Sequence, residues 1–171
     1  LTEDGGNPDG PSAHADESLA GLQAALEAGD PAKAAERLAA AQQRLDQARG
    51  VLDAVLKARA GIEKGLPEAR RETRRLSEAI SQYQLFEQEL KRDFTPSSWR
   101  NVAGNLGQAR ALLETFDRKA EEVEKDADPR KQNYLLASRL LDRLNLEQQA
   151  VFQLMSAVGD QLAGLKAMRE E

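Results

Sequence analysis

Apolar residues recur through most of this chain at alternating steps of three and four positions, the spacing that brings side chains onto one face of an α-helix. Prolines and glycines interrupt the pattern at a few points, and these points carry residues that end one helix or begin another. The pattern predicts an all-α protein with five helices, at about residues 16–28, 31–64, 67–94, 96–126 and 129–171.

The second predicted helix follows the capping pair Asp30-Pro31 and carries two interleaved series of apolar residues, each with a spacing of seven or a multiple of it. Proline disfavours helical geometry in the residue before it, so we expect Gly65-Leu66-Pro67 to separate this helix from the third. The two series are Leu38, Leu45, Leu52 and Leu66, and Ala34, Ala41, Ala48, Val55 and Ile62.

The connections between the predicted helices are too short for anything but antiparallel neighbours. The expected architecture is an antiparallel up-down bundle of four long helices with one short N-terminal helix. Each apolar stripe is narrow, however, at about two positions in seven, which also suits coiled-coil packing. An elongated spectrin-like three-helix coiled coil is therefore the alternative.

The net charge of −5 is concentrated in the first 18 residues, which hold five carboxylates and no Lys or Arg. Removing those five from the 29 acidic residues leaves 24, against 24 basic residues in the same remainder. We expect residues 1–15 to form a disordered acidic tail, because they offer little apolar surface to bury. The balanced helical remainder gives no reason to expect binding to nucleic acid.

The chain offers little of the chemistry that enzymes use. His14 is its single histidine and cysteine is absent, whereas metal sites usually need three or four ligands in fixed geometry. No glycine-rich phosphate-binding loop is present. We expect no catalytic residues, no metal and no cofactor.

Four arginines, Arg70, Arg71, Arg74 and Arg75, form the densest positive cluster of the sequence. In the predicted third helix they lie in the first turns, where the helix dipole disfavours cations. One interpretation is a binding patch for an anionic partner. The alternative is a solvated helix face, because glutamates are interleaved with the arginines.

Arg59, Glu87 and Gln148 occupy stripe positions that should be buried. Counting from the predicted turns places Glu87 and Gln148 within about one helical turn of each other. We expect a polar layer there that either fixes the helix register or binds a small molecule. Its members are Glu87, Gly104, Asn105, Gly107 and Gln148.

The stretch TPSSWRNVAGNLG, residues 95–107, contains the single tryptophan. Thr95 and Pro96 suit the N-cap and first position of a helix. Trp99 begins a 3-4 series that runs to Val123, so we expect its ring to be buried at an end of the bundle beneath the first helix.

The Leu/Ala heptads, the elements LPEARRE and FTPSSWRNVAGNL, and the helix start YLLASRLLDRL resemble the spectrin-like helical segments of bacterial septation ring formation regulators. They are also similar to the helical region that follows the TPM domain in some bacterial membrane proteins. The resemblance covers about residues 31–171. It implies a scaffolding role near a membrane, without catalytic residues.

The sequence thus favours a non-enzymatic helical scaffold or protein-interaction module. The chain begins at Leu1 and not at a methionine, so we expect it to be a piece of a larger bacterial envelope-associated protein. A protein partner is expected, with the arginine cluster as its contact. No run of about 18 apolar residues is present, so we expect membrane association only through another part of the parent protein. The alternative is a bundle that binds a small molecule at the polar layer.

Overall fold

The computed structural model describes residues 19–170, and within this range the protein is all-α, as predicted. Helix α1 covers residues 19–27, α2 covers Pro31–Asp93, α3 covers Asn105–Asp126 and α4 covers Tyr134–Glu170. Two short 3₁₀ turns, Pro96–Ser98 and Arg100–Val102, lie between α2 and α3. The predicted acidic tail and His14 lie outside the described residues.

Helix α2 is a single helix of 63 residues that passes through Pro67. The predicted helices 31–64 and 67–94 are therefore one element, and the predicted break at Gly65-Leu66-Pro67 is wrong. Proline removes one helical hydrogen bond and crowds the preceding turn. Packing against α4 offsets this cost, because Ile62 and Ala69, on either side of the proline, are only 5% and 2% exposed.

The continuity of α2 changes the topology of the bundle. Gln148 of α4 contacts Thr73 of α2, and Lys166 of α4 pairs with Glu89 of α2, so the two helices run in the same direction. Helix α3 runs against both of them, because the chain turns between α2 and α3 and again between α3 and α4. The predicted all-α bundle is therefore confirmed, but it contains three long helices and not four, because the predicted second and third helices are one.

These three helices form what we call the body: α2 from Ala58 onward, the turns that follow it, α3 and α4. Helix α4 packs against both α2 and α3. The larger fully buried side chains are Phe116, Leu76, Leu90, Leu144, Met155, Val123, Val151 and Val158.

Helices α3 and α4 begin later than predicted, at residues 105 and 134 and not at 96 and 129. Before α3, the chain makes its two 3₁₀ turns and then passes through Gly104, whose φ of 87° is left-handed. Before α4, the Asp128 carbonyl accepts hydrogen bonds from the backbone N–H groups of Lys131 and Gln132, and Gln132 has a φ of 55°. The Thr95-Pro96 and Asp128-Pro129 signals therefore form turns here, ahead of the helices.

The first 27 or so residues of α2, residues 31–57, extend past the body by about 40 Å at 1.5 Å per residue. We call this segment the arm. Helix α1 folds back against its beginning, where Ala25, Ala34 and Ala41 are each 5–6% exposed. Gly29, with a φ of 69°, makes the turn, and the Asp30 carboxylate caps α2 by accepting from the Lys33 backbone N–H at 3.0 Å.

Candidate functional site

The arm carries an apolar stripe that nothing in the described part of the chain covers. Between the end of the α1 contact and the start of the body, the structure buries none of residues 42–57. Leu45 and Leu52 are each 57% exposed, and Leu56 is 54% exposed. Leu38 and Val51 are exposed in the same way. Isolated exposed leucines are ordinary, but a contiguous apolar stripe on a helix usually marks an interaction site.

The stripe follows from the sequence, because the heptad of the core continues into the arm without a change of phase. Ile62 and Ala69 face the core, and Val55, Ala48 and Ala41 precede them at the same spacing of seven. The second series behaves in the same way. Thr73 is buried in the body, and Leu66, Leu52 and Leu45 precede it at spacings of seven or a multiple of seven. One face of α2 is therefore covered by α3 and α4 along the body and by α1 at its beginning, and has no buried residue over residues 42–57.

The arm is also slightly basic. Its polar residues lie beside and opposite the stripe, and the described structure leaves them exposed. The arm contains five basic and three acidic residues: Lys33, Arg37, Arg44, Arg49 and Lys57, and Glu36, Asp46 and Asp53. Because charges of both signs surround it, the apolar stripe is the dominant feature of the arm surface.

The structure divides the predicted arginine patch. Arg70 donates to Glu124 of α3 at 2.6 Å, and Arg75 donates twice to Glu72. Arg71 and Arg74 are exposed and make no ion pair within residues 19–170. All four lie in the middle of α2, so the expected conflict with a helix N-terminus does not arise.

The predicted polar layer is not assembled. Gln148 is 4% exposed and its amide donates to the Ala69 carbonyl at 2.7 Å and to the Thr73 hydroxyl at 2.9 Å. Glu87 is 14 residues beyond Thr73 on α2, or about 21 Å away, and pairs with Lys91. The expected proximity of Glu87 and Gln148 is wrong, because it was counted from a turn at residues 65–67 that does not exist.

The other members of that predicted layer also lie apart. The Asn105 amide reaches the Leu154 carbonyl at 3.4 Å, which is six residues from Gln148 along α4. Gly104 and Gly107 are exposed, and a β-carbon at either position would meet nothing within 4 Å. Arg59, the third unexpected stripe residue, is exposed near the start of the body and donates to Glu63 at 2.8 Å. This hydrogen bond raises the pKa of the Arg59 guanidinium.

The buried Gln148 therefore links α4 to α2 through two hydrogen bonds. An open groove of about 740 Å³ lies between α2 and α4, beside Gln148. Its rim includes Glu68, Glu72, Asn145 and Phe152. The Gln148 amide hydrogens are already donated within the protein, so they are not available to a ligand in this groove.

Trp99 packs against the core between the two 3₁₀ turns, so its predicted burial at a bundle end is confirmed in part: the residue is half-buried. Its indole nitrogen is buried and has no hydrogen-bond partner in the described structure. The prediction that it lies beneath the first helix is wrong. Trp99 follows the C-terminal end of α2, whereas α1 contacts the N-terminal end.

The residues that sequence reasoning missed are those of the arm stripe. The sequence pattern predicts that they lie in the core of a four-helix bundle, whereas the structure exposes them. The signal that could have identified them is the heptad phase, which is the same on both sides of Pro67 and so indicates one helix.

Comparisons with protein-family models, curated proteins and solved structures find no match to this chain. Among the described residues, no helix is long and apolar enough to cross a membrane. Within the same range, no three His, Cys, Asp or Glu side chains are grouped so that they could hold a metal ion.

Proposed function

We propose that this protein is a non-enzymatic helical interaction module, in which the body is a rigid base and the arm is the contact surface. The observation that carries the proposal is the uncovered apolar stripe of the arm, from Leu38 to Leu56. The stripe fits a partner that also presents an apolar helical face, because such faces pack by interlocking side chains.

The energetics support a partner for the arm. A single helix of this length gains little stability in water without tertiary packing, and the arm contains Gly50, which weakens a helix by roughly 0.5–1 kcal/mol relative to Ala. Each half-exposed leucine that a partner covers contributes on the order of 1 kcal/mol or more, at about 25 cal/mol per Å² of apolar surface. Binding therefore stabilises both the complex and the helix itself.

The body is suited to hold the arm in a fixed direction. Helix α2 is anchored between α3 and α4 by buried residues such as Leu76 and Leu90, and the same helix continues into the arm without a flexible link. A scaffold needs this property, because it presents a binding surface at a set distance from its base. The wider setting of a larger bacterial envelope-associated protein follows from the sequence resemblance alone and stays a prediction.

The arginine cluster remains a second possible contact for an acidic partner, now centred on Arg71 and Arg74. No observation in the described structure favours the small-molecule alternative, because the polar residues on which it depended are separated and bonded within the protein.

The proposal is tested with a photo-crosslinking amino acid placed at Leu52 of the arm, in cells that make the protein. A matched variant carries it at Leu146 on the body, which is 64% exposed against 57% for Leu52. The expected result is discrete crosslinked products, identified by mass spectrometry, for the arm position and far fewer for the body position. Equal products at both positions, or none at the arm, would contradict the proposal.

A further inference from the structure

We propose that the partner of the arm is the arm of a second copy of this chain, packed antiparallel so that each stripe residue n faces stripe residue 93 − n. This inference rests on the proposed function, since it names the occupant of the same surface. The two copies then form an elongated dimer, with their bodies at opposite ends.

The first argument is the fit of side-chain sizes across this pairing. The stripe alternates large and small residues, with leucines in one series and alanine or valine in the other. In the antiparallel register Leu45 faces Ala48 of the second copy, and Leu38 faces Val55. Symmetry repeats both layers. Every such layer combines one large and one smaller side chain, so the two helices can approach evenly along the seam.

A parallel pair lacks this fit. It places each leucine opposite the same leucine of the second copy, and each alanine opposite the same alanine. Layers of two large side chains then alternate with layers of two small ones. It also places Arg59 opposite Arg59 in the seam, and Arg44 beside Arg49 of the second copy on the flank. Like charges held together in a seam are destabilising, and flanking charges commonly decide helix orientation.

The flanking residues also select the register among antiparallel pairs. On the flanks the nearest pairs are offset by two residues from the stripe register, so Arg44 lies beside Val51 and Arg49 beside Gln42 of the second copy. Arg44 and the second copy's Arg49 share a level but lie on opposite flanks, so no like charges meet. A shift by one heptad in one direction places Arg44 opposite Arg44 of the second copy. The same shift in the other direction places Arg49 opposite Arg49. The sequence therefore disfavours both neighbouring registers.

The geometry of the protein accommodates this pairing. Residues 38–55 lie within the arm, before the body begins at Ala58, and their overlap is about 27 Å long. Helix α1 covers Ala34 and Ala41 and leaves Leu38 45% exposed. In this register Leu52 of the second copy faces Ala41, so near each end of the overlap the second arm packs against α1 as well as against Leu38. Such an overlap buries on the order of 1,000 Å² in total, which is the lower limit for a specific interface.

The first test measures the mass of the full chain in solution by sedimentation equilibrium, from about 1 µM to about 100 µM. The expected result is a shift from 18.8 kDa to twice that mass. The variant Leu45→Glu/Leu52→Glu is expected to stay monomeric, while Leu85→Glu/Leu146→Glu, which changes two equally exposed leucines of the body, dimerises like the unmodified chain. Circular dichroism checks that both variants retain their helices.

The second test reads orientation and register, and exploits the absence of cysteine from the chain. Gln42→Cys and Arg49→Cys variants are mixed under mild oxidation. The expected product is a mixed disulfide between the two variants, with far less of either self-disulfide, because identical positions are offset along the axis by about 14 Å at residue 42 and about 8 Å at residue 49. Self-disulfides in excess of the mixed product would overturn the antiparallel register.

A monomer at every concentration overturns this inference, whether residues 1–18 or another protein covers the stripe. That outcome leaves the proposed function standing if the Leu52 photo-crosslinker still captures a different protein. Failure of both experiments rejects the inference and the proposed function together.

Discussion

The buried Gln148 offers a sharp prediction about what holds α2 and α4 in register. Its amide group donates one hydrogen to the Ala69 carbonyl and the other to the Thr73 hydroxyl. The variant Thr73→Val removes the second acceptor and keeps nearly the same side-chain shape. It leaves one amide hydrogen buried without a partner.

The magnitude follows from the burial of this group. Thr73 is 7% and Gln148 is 4% exposed, so water cannot easily replace the lost acceptor. A buried donor without a partner costs about 1–3 kcal/mol. The double variant Thr73→Val/Gln148→Met removes donor and acceptor together and fills the space with apolar groups, so its stability is expected to lie within about 1 kcal/mol of the unmodified protein.

The assay is urea denaturation of the four members of this double-mutant cycle, followed by circular dichroism. For a chain of this size a loss of 1 kcal/mol lowers the melting temperature by about 2–4 °C, so thermal melts give a second readout. Thr115→Val is the matched control, since the Thr115 hydroxyl bonds only within its own helix, to the Leu112 carbonyl. The control is expected to change stability by less than about 0.5 kcal/mol.

The reasoning would be refuted if the two substitutions changed the free energy of unfolding additively in this double-mutant cycle. If Thr73→Val costs no more than the control, or if Gln148→Met does not restore the lost stability, the hydrogen bond between these residues does not contribute as described.

Three further predictions concern α2. Pro67→Ala restores a helical N–H, so it is expected to stabilise the protein by about 1–3 kcal/mol in denaturation experiments, whereas a chain that turned at this point would gain nothing. Gly50→Ala has open space around it and is expected to stabilise by about 0.5–1 kcal/mol, while Gly29→Ala, at a φ of 69°, is expected to destabilise. The hydrogen bond from Arg92 lowers the pKa of the Asp93 carboxyl. The stability that this adds is present above the unfolded-state pKa and is lost as the pH falls through the folded-state value, and Arg92→Gln is expected to raise the Asp93 pKa in an NMR titration.

The all-α class and most of the core could be predicted from periodicity alone. The series from Trp99 to Val123 and the stripe of α4 identified residues such as Phe116, Met155 and Val158, which the structure buries. These helices could be predicted because neighbouring helices cover the apolar face of each one along its whole length. Burial of that face determines the structure more strongly than local turn signals do.

The path of α2 could not be predicted from the local signal that was used. A proline inside a helix costs about 3 kcal/mol or more, and the packing of Ile62, Leu66 and Ala69 in the core outweighs this cost. The local turn signal at residues 65–67 therefore predicts that the helix ends there, whereas the unchanged heptad phase from Ala34 to Leu90 indicates one continuous helix.

The error in α2 carried over to the candidate site. A turn at residues 65–67 would bring Glu87 close to Gln148. It would also fold the preceding helix back onto the bundle, so that the leucines of the arm would be buried in the core. Once α2 is continuous, Gln148 lies beside Thr73 and the arm leucines become exposed. Contacts between distant segments depend on the topology, so a single wrong turn changed every inference about which residues meet.

The central claim is that α2 is unbroken and carries the arm away from the body. The most direct measurement is the distance between spin labels in the variant Arg49→Cys/Ser81→Cys, by double electron–electron resonance, with excess unlabelled chain to suppress signals between copies. A continuous helix separates these positions by 32 residues and predicts a single distance near 48 Å. A distance below about 20 Å would mean that the chain folds back at Pro67, and would contradict the account.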